Sequence, residues 1–402
     1  MRRWVAASAV CLSLAAFLGS PGAALADSPR PTANPAEPTP VTPDPGGPPR
    51  GSAPDGSTIG GTALSSRGLV VPAGAPLLPA DISAQGWVIA DAGSGEVLAA
   101  RDPHGRYYPA STLKLLTLLS LYPLLDPAEV VTATVEDESV EGSRVGLIDG
   151  GHYDVATLWL GLMLQSGNDA ANALSRAVGG LEPTLEAMYA EADRLGAYDT
   201  SPGGPSGLDV EGQRSSPYDL ALLMTAAIAD PTLLAIMGTR QAQIPAQPDR
   251  DPGFQIQNEN RLLADYPGAI AGKTGFTDAA RHTFVAAAER DGRRLVVSLM
   301  LAEHVPIPTW QQAERLLDWG FGLPPGTPPV GVLVAPGSTG ATAETASAAG
   351  PPAQVNAAAG STTGLSSSRV LIALLTGTVV VVLSSALFLL RRPRVPRGRS
   401  RH

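Results

Sequence analysis

Ser111 and Lys114 stand three residues apart in Tyr108-Pro109-Ala110-Ser111-Thr112-Leu113-Lys114. In a helix starting near Ser111, that spacing brings a hydroxyl and an amine onto one face. Leu113, Leu115, Leu116, Leu118 and Leu119 make the segment apolar nearly all round. Such a helix is buried, and burial disfavours the charged form of an amine. A neutral lysine can accept the proton of a serine hydroxyl that is otherwise a poor nucleophile. The pattern alone is common, but lysine usage sets it apart. Of 28 Lys+Arg residues, only Lys114 and Lys273 are lysine. Arginine cannot be deprotonated in a protein, so a chain this averse to lysine keeps it where arginine chemistry fails.

Lys273 also belongs to a pattern. Lys273-Thr274-Gly275 falls on an expected strand, where a lysine facing a cleft binds a carboxylate and Gly275 admits a substrate backbone. Between the lysines, Ser166-Gly167-Asn168 interrupts two helical stretches, either to aim a hydroxyl and an amide or as a plain polar junction. A Ser-His-Asp system finds no G-x-S-x-G elbow. His104, His152, His282, His304 and His402 have no suggestive spacing and read as surface or structural residues.

The elements around these patterns are of two kinds. Gly86–Asp91 and Glu96–Arg101 flank Ala92-Gly93-Ser94-Gly95 and read as a hairpin. Helical patterns follow at 155–164, 169–178, 183–195 and 217–229, the last with Ser216 as N-cap and Pro217 at the first position. The pattern then turns strand-like at 269–275, 283–289 and 295–302, with Asp291-Gly292 closing the last two, before a final helix at 309–321. The fold class expected is α+β, with an antiparallel sheet joining the two ends of the domain and a helical middle.

Outside the domain the composition changes. Met1-Arg2-Arg3, the apolar run from Trp4 to Leu18 and Ala24-Leu25-Ala26 read as a secretory signal peptide, 1–26. Its removal would take away Cys11, the single cysteine, and with it disulfides, thiolate metal sites and cysteine nucleophiles. Residues 27–79 and 323–369 are rich in Pro, Gly, Ser, Thr and Ala and are expected to be a disordered linker and stalk around a catalytic domain at 80–322. Val370 to Leu390 is uncharged and mostly apolar, about 31 Å long as a helix, and is expected to span a bilayer. Arg391, Arg392, Arg394, Arg397, Arg399 and Arg401 follow, so the tail, 391–402, is expected in the cytoplasm and the domain outside a cell membrane crossed once. A formal charge of -9 gives no sign of nucleic-acid binding.

In their order along the chain, S-x-x-K, S-x-N and K-T-G resemble the active site of the serine D,D-peptidases and β-lactamases, the penicillin-recognising enzymes. Over residues 80–322 the chain resembles most a D-alanyl-D-alanine carboxypeptidase, a low-molecular-mass penicillin-binding protein. Asp169-Ala170-Ala171, Ser206-Gly207-Leu208-Asp209, Ser216-Pro217-Tyr218-Asp219-Leu220, Asn258 and Asn260 before Leu262, and Gly272 to Thr277 carry that likeness.

The resemblance implies that Ser111 attacks the carbonyl between two D-alanines at the end of a peptidoglycan stem peptide, with Lys114 as base. It implies that Ser166 relays a proton to the leaving amine and that Asn168 holds the substrate. Lys273 and Thr274 would bind its terminal carboxylate beside Gly275, and the backbone N–H groups of Ser111 and Phe276 would form the oxyanion hole. β-Lactams are then expected as covalent inhibitors, and no metal or cofactor is required.

Ala279-Ala280-Arg281 departs from the Ala-Gly of many relatives, which bears on the following turn; Arg281 reads as a solvated residue or an aid to the carboxylate. A D,D-endopeptidase or transpeptidase would share every catalytic residue. A class A β-lactamase would need its deacylating glutamate, and Glu182-Pro183-Thr184-Leu185 follows Asn168 too soon. An inactive peptidoglycan-binding module would have no use for the intact trio.

Overall fold

Seven antiparallel strands form the main sheet of this computed structural model, which describes residues 51–338. The expected signal peptide, spanning segment and cytoplasmic tail lie outside the described residues. Among the described residues no single helix is long and apolar enough to cross a membrane.

In chain order, β1 (Leu69–Val70), β2 (Gly86–Asp91) and β3 (Glu96–Arg101) lead to a 3-10 turn, Ala110–Leu113, that continues as α1 (Lys114–Leu121). A helical lobe follows: β4 (Val130–Thr132), α2 (Val135–Glu138), β5 (His152–Asp154), α3 (Val155–Leu164), α4 (Asn168–Ala177), α5 (Leu181–Leu195), α6 (Pro217–Ala229) and α7 (Pro231–Gly238). The chain returns through β6 (Gln241–Ile244), β7 (Phe254–Gln257) and α8 (Arg261–Asp265) to β8 (Ala269–Thr277), β9 (Arg281–Arg290) and β10 (Arg293–Ala302). It ends with α9 (Thr309–Phe321) and β11 (Gly331–Val332).

The sheet runs β1-β3-β2-β10-β9-β8, with β11 also on β3. The two ends of the domain thus meet in one sheet, where β2 pairs β10 with Ala90 opposite Val296. One face packs on the helical lobe through Val88, Val285 and Val296, and the other on α9 through Ile89, Phe284, Leu295 and Leu316. All of these are buried, which explains strands of nearly continuous apolar sequence instead of alternation. α6 begins where its sequence says it should. The Ser216 hydroxyl accepts from the Asp219 N–H at 3.1 Å and Pro217 occupies the first turn, where its missing N–H costs nothing.

The boundaries expected at residues 80 and 322 move outward. From Gly51, the first described residue, the chain is packed: Ile59, Leu64 and Val70 are buried and β1 pairs with Ala100 and Arg101. At the other end, Leu333 and Val334 are buried and β11 pairs with Val97 and Glu96. Polar, Pro- and Gly-rich composition hid both segments because each holds only a few apolar anchors, and the sheet edge supplies their order.

Both segments are fastened at one corner. The Asp199 carboxylate accepts from Gly51 N and Arg106 Nε, each at 2.9 Å, and pairs with His104 Nδ1 at 2.9 Å. His104 Nε2 meets the Ile59 carbonyl at 3.1 Å. Gly337 N donates to Arg194 O at 2.7 Å, five residues before Asp199, and Val332 N donates to Gly60 O at 2.9 Å.

Candidate active site

The Ser111 hydroxyl sits on the 3-10 turn, and the α-helix itself starts at Lys114, slightly later than the sequence suggests. The three-residue spacing survives this change, and Lys114 Nζ lies 2.9 Å from Ser111 Oγ. The amine has two further partners, Asn168 Oδ1 at 2.7 Å and the Ser206 carbonyl at 2.6 Å. Lys114 is fully buried. Burial holds its amine well below the usual lysine value, and the nearby Lys273 charge pushes the same way.

These contacts set the direction of proton transfer. A neutral amine has two N–H donors and one lone pair. Asn168 Oδ1 and Ser206 O can only accept, so they take both donors. The lone pair is left for Ser111, whose O–H can donate.

Each partner is brought in by its own element. α4 starts at Asn168, whose Nδ2 donates to Glu141 O at 2.6 Å, so both ends of the amide are engaged. Asp169, fully buried, accepts from Val145, Gly146, Leu147 and Ala170 N–H groups at 2.8 to 3.1 Å and binds the 145–147 segment to the start of that helix. Thr117 on α1 donates to Pro205 O at 2.7 Å, which delivers the next carbonyl, Ser206, to Lys114. Gly207 follows with φ +82; a Cβ there would stand 2.0 Å from Ala110 O. Only glycine fits.

The opposite wall is β8, an edge strand of the sheet. Lys273 is buried and its amine donates to Thr274 O at 2.9 Å; burial brings its pKa down to about 8, against the opposing charge of Glu259. A Cβ on Gly275 would meet Thr283 Oγ1 at 2.3 Å and Ser111 N at 2.9 Å, so the strand lies directly against the amide of the serine. Thr283 on β9 holds Pro109 O at 2.8 Å, which fixes the serine turn to the sheet. Thr277 donates to Asp209 at 2.9 Å, tying the end of β8 to the segment that presents Ser206. Phe276 exposes its side chain and tilts against His282 at 4.6 Å between ring centroids.

Ser166 occupies the turn between α3 and α4 with φ 58, a conformation rare for serine, and is nearly buried. Among the described residues its hydroxyl makes no hydrogen bond. Hydrogen bonds and close contacts thus join Ser111, Lys114, Asn168 and Gly275, while Ser166, Lys273, Thr274 and Phe276 are placed on the flanking turn and strand.

A sheet edge beside an activated serine is built to receive an extended peptide. A sequence profile of the D-alanyl-D-alanine carboxypeptidases matches residues 73–304. The chain belongs to that family. It is a serine peptidase, a hydrolase with D-alanyl-D-alanine carboxypeptidase activity. A D-alanyl-D-alanine carboxypeptidase of Mycobacterium tuberculosis is 45% identical over 261 residues, 64% of this chain and 88% of the relative. One from Bacillus subtilis is 29% identical, and the match takes in 59% of this chain and 62% of that protein. A crystal structure of the M. tuberculosis enzyme superposes with a TM-score of 0.62 at 43% identity, covering 66% of this chain and all of the other. The DD-transpeptidase of Streptomyces K15 superposes with a TM-score of 0.59 at 26% identity, covering 62% of this chain and all of that enzyme.

Within this carboxypeptidase, Arg281 is neither solvated alone nor turned to Lys273. It makes a two-pronged ion pair with Glu303, at 2.8 and 3.1 Å, and lies over the Phe276 ring. Arg281 has φ 52, at the turn of β8 into β9. His282 and His304 stack at 3.4 Å between ring centroids. Among the described residues, His104, Asp199 and Asp219 are a group with the chemistry of metal ligands. Both His104 nitrogens and both Asp199 oxygens already have protein partners, so the group is a structural junction. Sequence reasoning missed the Ser206 carbonyl, a backbone atom, and Glu259, although both lie inside motifs it singled out.

Proposed function

We propose that this carboxypeptidase removes the terminal D-alanine of peptidoglycan stem peptides through an ester on Ser111. The observation that carries the reading is the Lys114 amine, buried among Ser111 Oγ, Asn168 Oδ1 and Ser206 O. Ser111 gives its proton to Lys114 as its oxygen bonds to the scissile carbonyl carbon. The oxyanion is received by the Ser111 and Phe276 N–H groups, a contribution of about 2.7–4 kcal/mol per donor in comparable enzymes. The proton passes by way of Ser166 to the departing nitrogen, the C–N bond breaks and D-alanine leaves. Water then adds to the ester carbonyl, and Ser111 departs with its proton restored.

In this scheme Lys273 and Thr274 hold the substrate carboxylate, and Gly275 lets the peptide lie along β8. Asn168 positions Lys114, and a substrate contact with its Nδ2 would replace the bond to Glu141. β-Lactams, which carry a strained amide and a carboxylate, would acylate the same serine. The same residues serve transfer to an amine, and the likeness to the Streptomyces DD-transpeptidase favours that as a second reading.

The domain is proposed to act outside the cell, secreted by residues 1–26 and held by a span at 370–390, on the support of the apolar run and the arginines after it. Protease treatment of intact cells tests this: loss of the domain with survival of the C-terminal tail is the outcome expected. For the chemistry, the full-length protein is incubated with benzylpenicillin and followed by mass spectrometry. A lasting adduct on Ser111 is expected. Rapid turnover to penicilloate would point instead to a β-lactamase, and absence of an adduct to an inactive binder. A D-Ala-D-Ala peptide offered with and without an amine acceptor separates hydrolysis from transfer.

A further inference from the structure

Asn258-Glu259-Asn260 lies on the loop between β7 and α8 and is pinned on both sides. Asn258 Nδ2 donates to Met237 O at 3.0 Å and Thr239 O at 2.9 Å, and its Oδ1 accepts from Asn260 N at 3.0 Å. Glu259 N donates to Leu164 O at 3.0 Å, two residues before Ser166. Asn260 Oδ1 accepts from Leu262 N at 3.1 Å, and Asn260 Nδ2 stands 2.4 Å from where a Cβ on Gly272 would be, one residue before Lys273. The loop therefore joins the Ser166 turn to the Lys273 strand, and Glu259 is the residue between those two anchors.

Glu259 is exposed, and among the described residues its carboxylate makes no hydrogen bond or ion pair. The backbone that carries this carboxylate is thus fixed, while the carboxylate itself has no partner among the described residues. The charged groups that bear on Lys114 are Lys273, Glu259 and Asp169; on Lys273 it is Glu259. Asp169 is enclosed by four N–H groups at the start of α4. Glu259 is the negative charge that both amines share.

We propose that Glu259 is a positioning charge of the active site: it sustains the cationic form of Lys273 that receives the substrate carboxylate, and it acts in the same direction on Lys114. The inference rests on the roles given to the two lysines under the proposed function. Because Glu259 faces solvent, its influence is moderate and screened by salt.

The test is the pH dependence of kcat/KM for a D-Ala-D-Ala peptide at low ionic strength, wild type against Glu259→Gln. The acidic limb reports deprotonation of Lys114 and the alkaline limb deprotonation of Lys273. Loss of the negative charge makes both amines lose their protons at lower pH, so both limbs move down together, by about 0.5 pH unit for an exposed charge. Glu259→Lys moves them further, and added salt shrinks both effects. A purely structural role would lower the thermal midpoint and the rate while leaving the limbs in place. Limbs that stay fixed, or that move in opposite directions, in a variant with unchanged thermal midpoint overturn the proposal. The same peptide with an amidated terminus separates this from a failure of the underlying reading. If the wild type treats acid and amide alike, the Lys273 role falls. The acidic limb of penicillin acylation then still decides the case for Glu259: a downward shift supports it and no shift overturns it.

Discussion

Asn168 Oδ1 lies closer to Lys114 Nζ, at 2.7 Å, than does the serine oxygen that the amine serves, at 2.9 Å. The middle motif is therefore first a device for holding the base. With Ser206 O on its other donor, the amine has one direction left in which to accept a proton, and Ser111 stands there.

Replacing Lys114 by arginine keeps the charge and removes the lone pair. Acylation by benzylpenicillin, read as the Ser111 adduct by mass spectrometry, is expected to slow by about 10³-fold or more, in the range for loss of a general base. Near-normal acylation would remove Lys114 from the mechanism.

Substrate binding should depend on pH with a definite sign. Lys273 must carry a proton to hold a carboxylate, and burial brings its pKa to about 8. KM for a free-acid peptide is expected to rise as pH passes through that value, with little change for the amidated peptide. Lys114 must be neutral, so acylation rises with pH through its lowered value.

Lys273→Ala should raise KM for peptides with a terminal carboxylate far more than for their amides. Initial rates on the paired substrates measure this, and an equal loss on both would count against the carboxylate role.

Gly275→Ala introduces a methyl group 2.3 Å from Thr283 Oγ1 and 2.9 Å from Ser111 N. The serine turn must move away from β8. Misplacement of about 1 Å costs on the order of 10² in rate. A fall of that size in kcat/KM is expected with the fold retained by circular dichroism.

Asp169→Ala leaves four N–H groups without their acceptor, those of buried Val145, Leu147 and Ala170 and of the more exposed Gly146. Each orphan costs about 1–3 kcal/mol before relaxation or water entry. A net loss of at least about 2 kcal/mol corresponds to roughly 4–8 °C in Tm at this domain size, measurable by calorimetry.

Much of this site could be read from residue order, because the chemistry is carried by three short patterns and the local elements announce themselves. α6 and α9 match the expected spans residue for residue, since Ser216-Pro217 and the apolar stripe of 309–321 are local signals. The strands β8 to β10 each ran two or three residues longer than their apolar stretches, because pairing continues through Arg281, Arg290 and Arg293, whose side chains reach outward. What stayed hidden depends on residues far apart in the chain. Nothing near Gly51 announces Asp199, and nothing in Ser206 reveals that its carbonyl meets Lys114. Glu259 escaped notice between two asparagines for the same reason: its importance lies in what surrounds it in space.

The fastening of Gly51 to Asp199 and of Gly337 to Arg194 puts both ends of the described chain at one corner of the domain. A pull applied between those ends would load that corner and leave the pairing of β8, β9 and β10 untouched. A version cut at another surface loop, with these two ends joined by a short linker, is expected to keep its catalytic sheet intact.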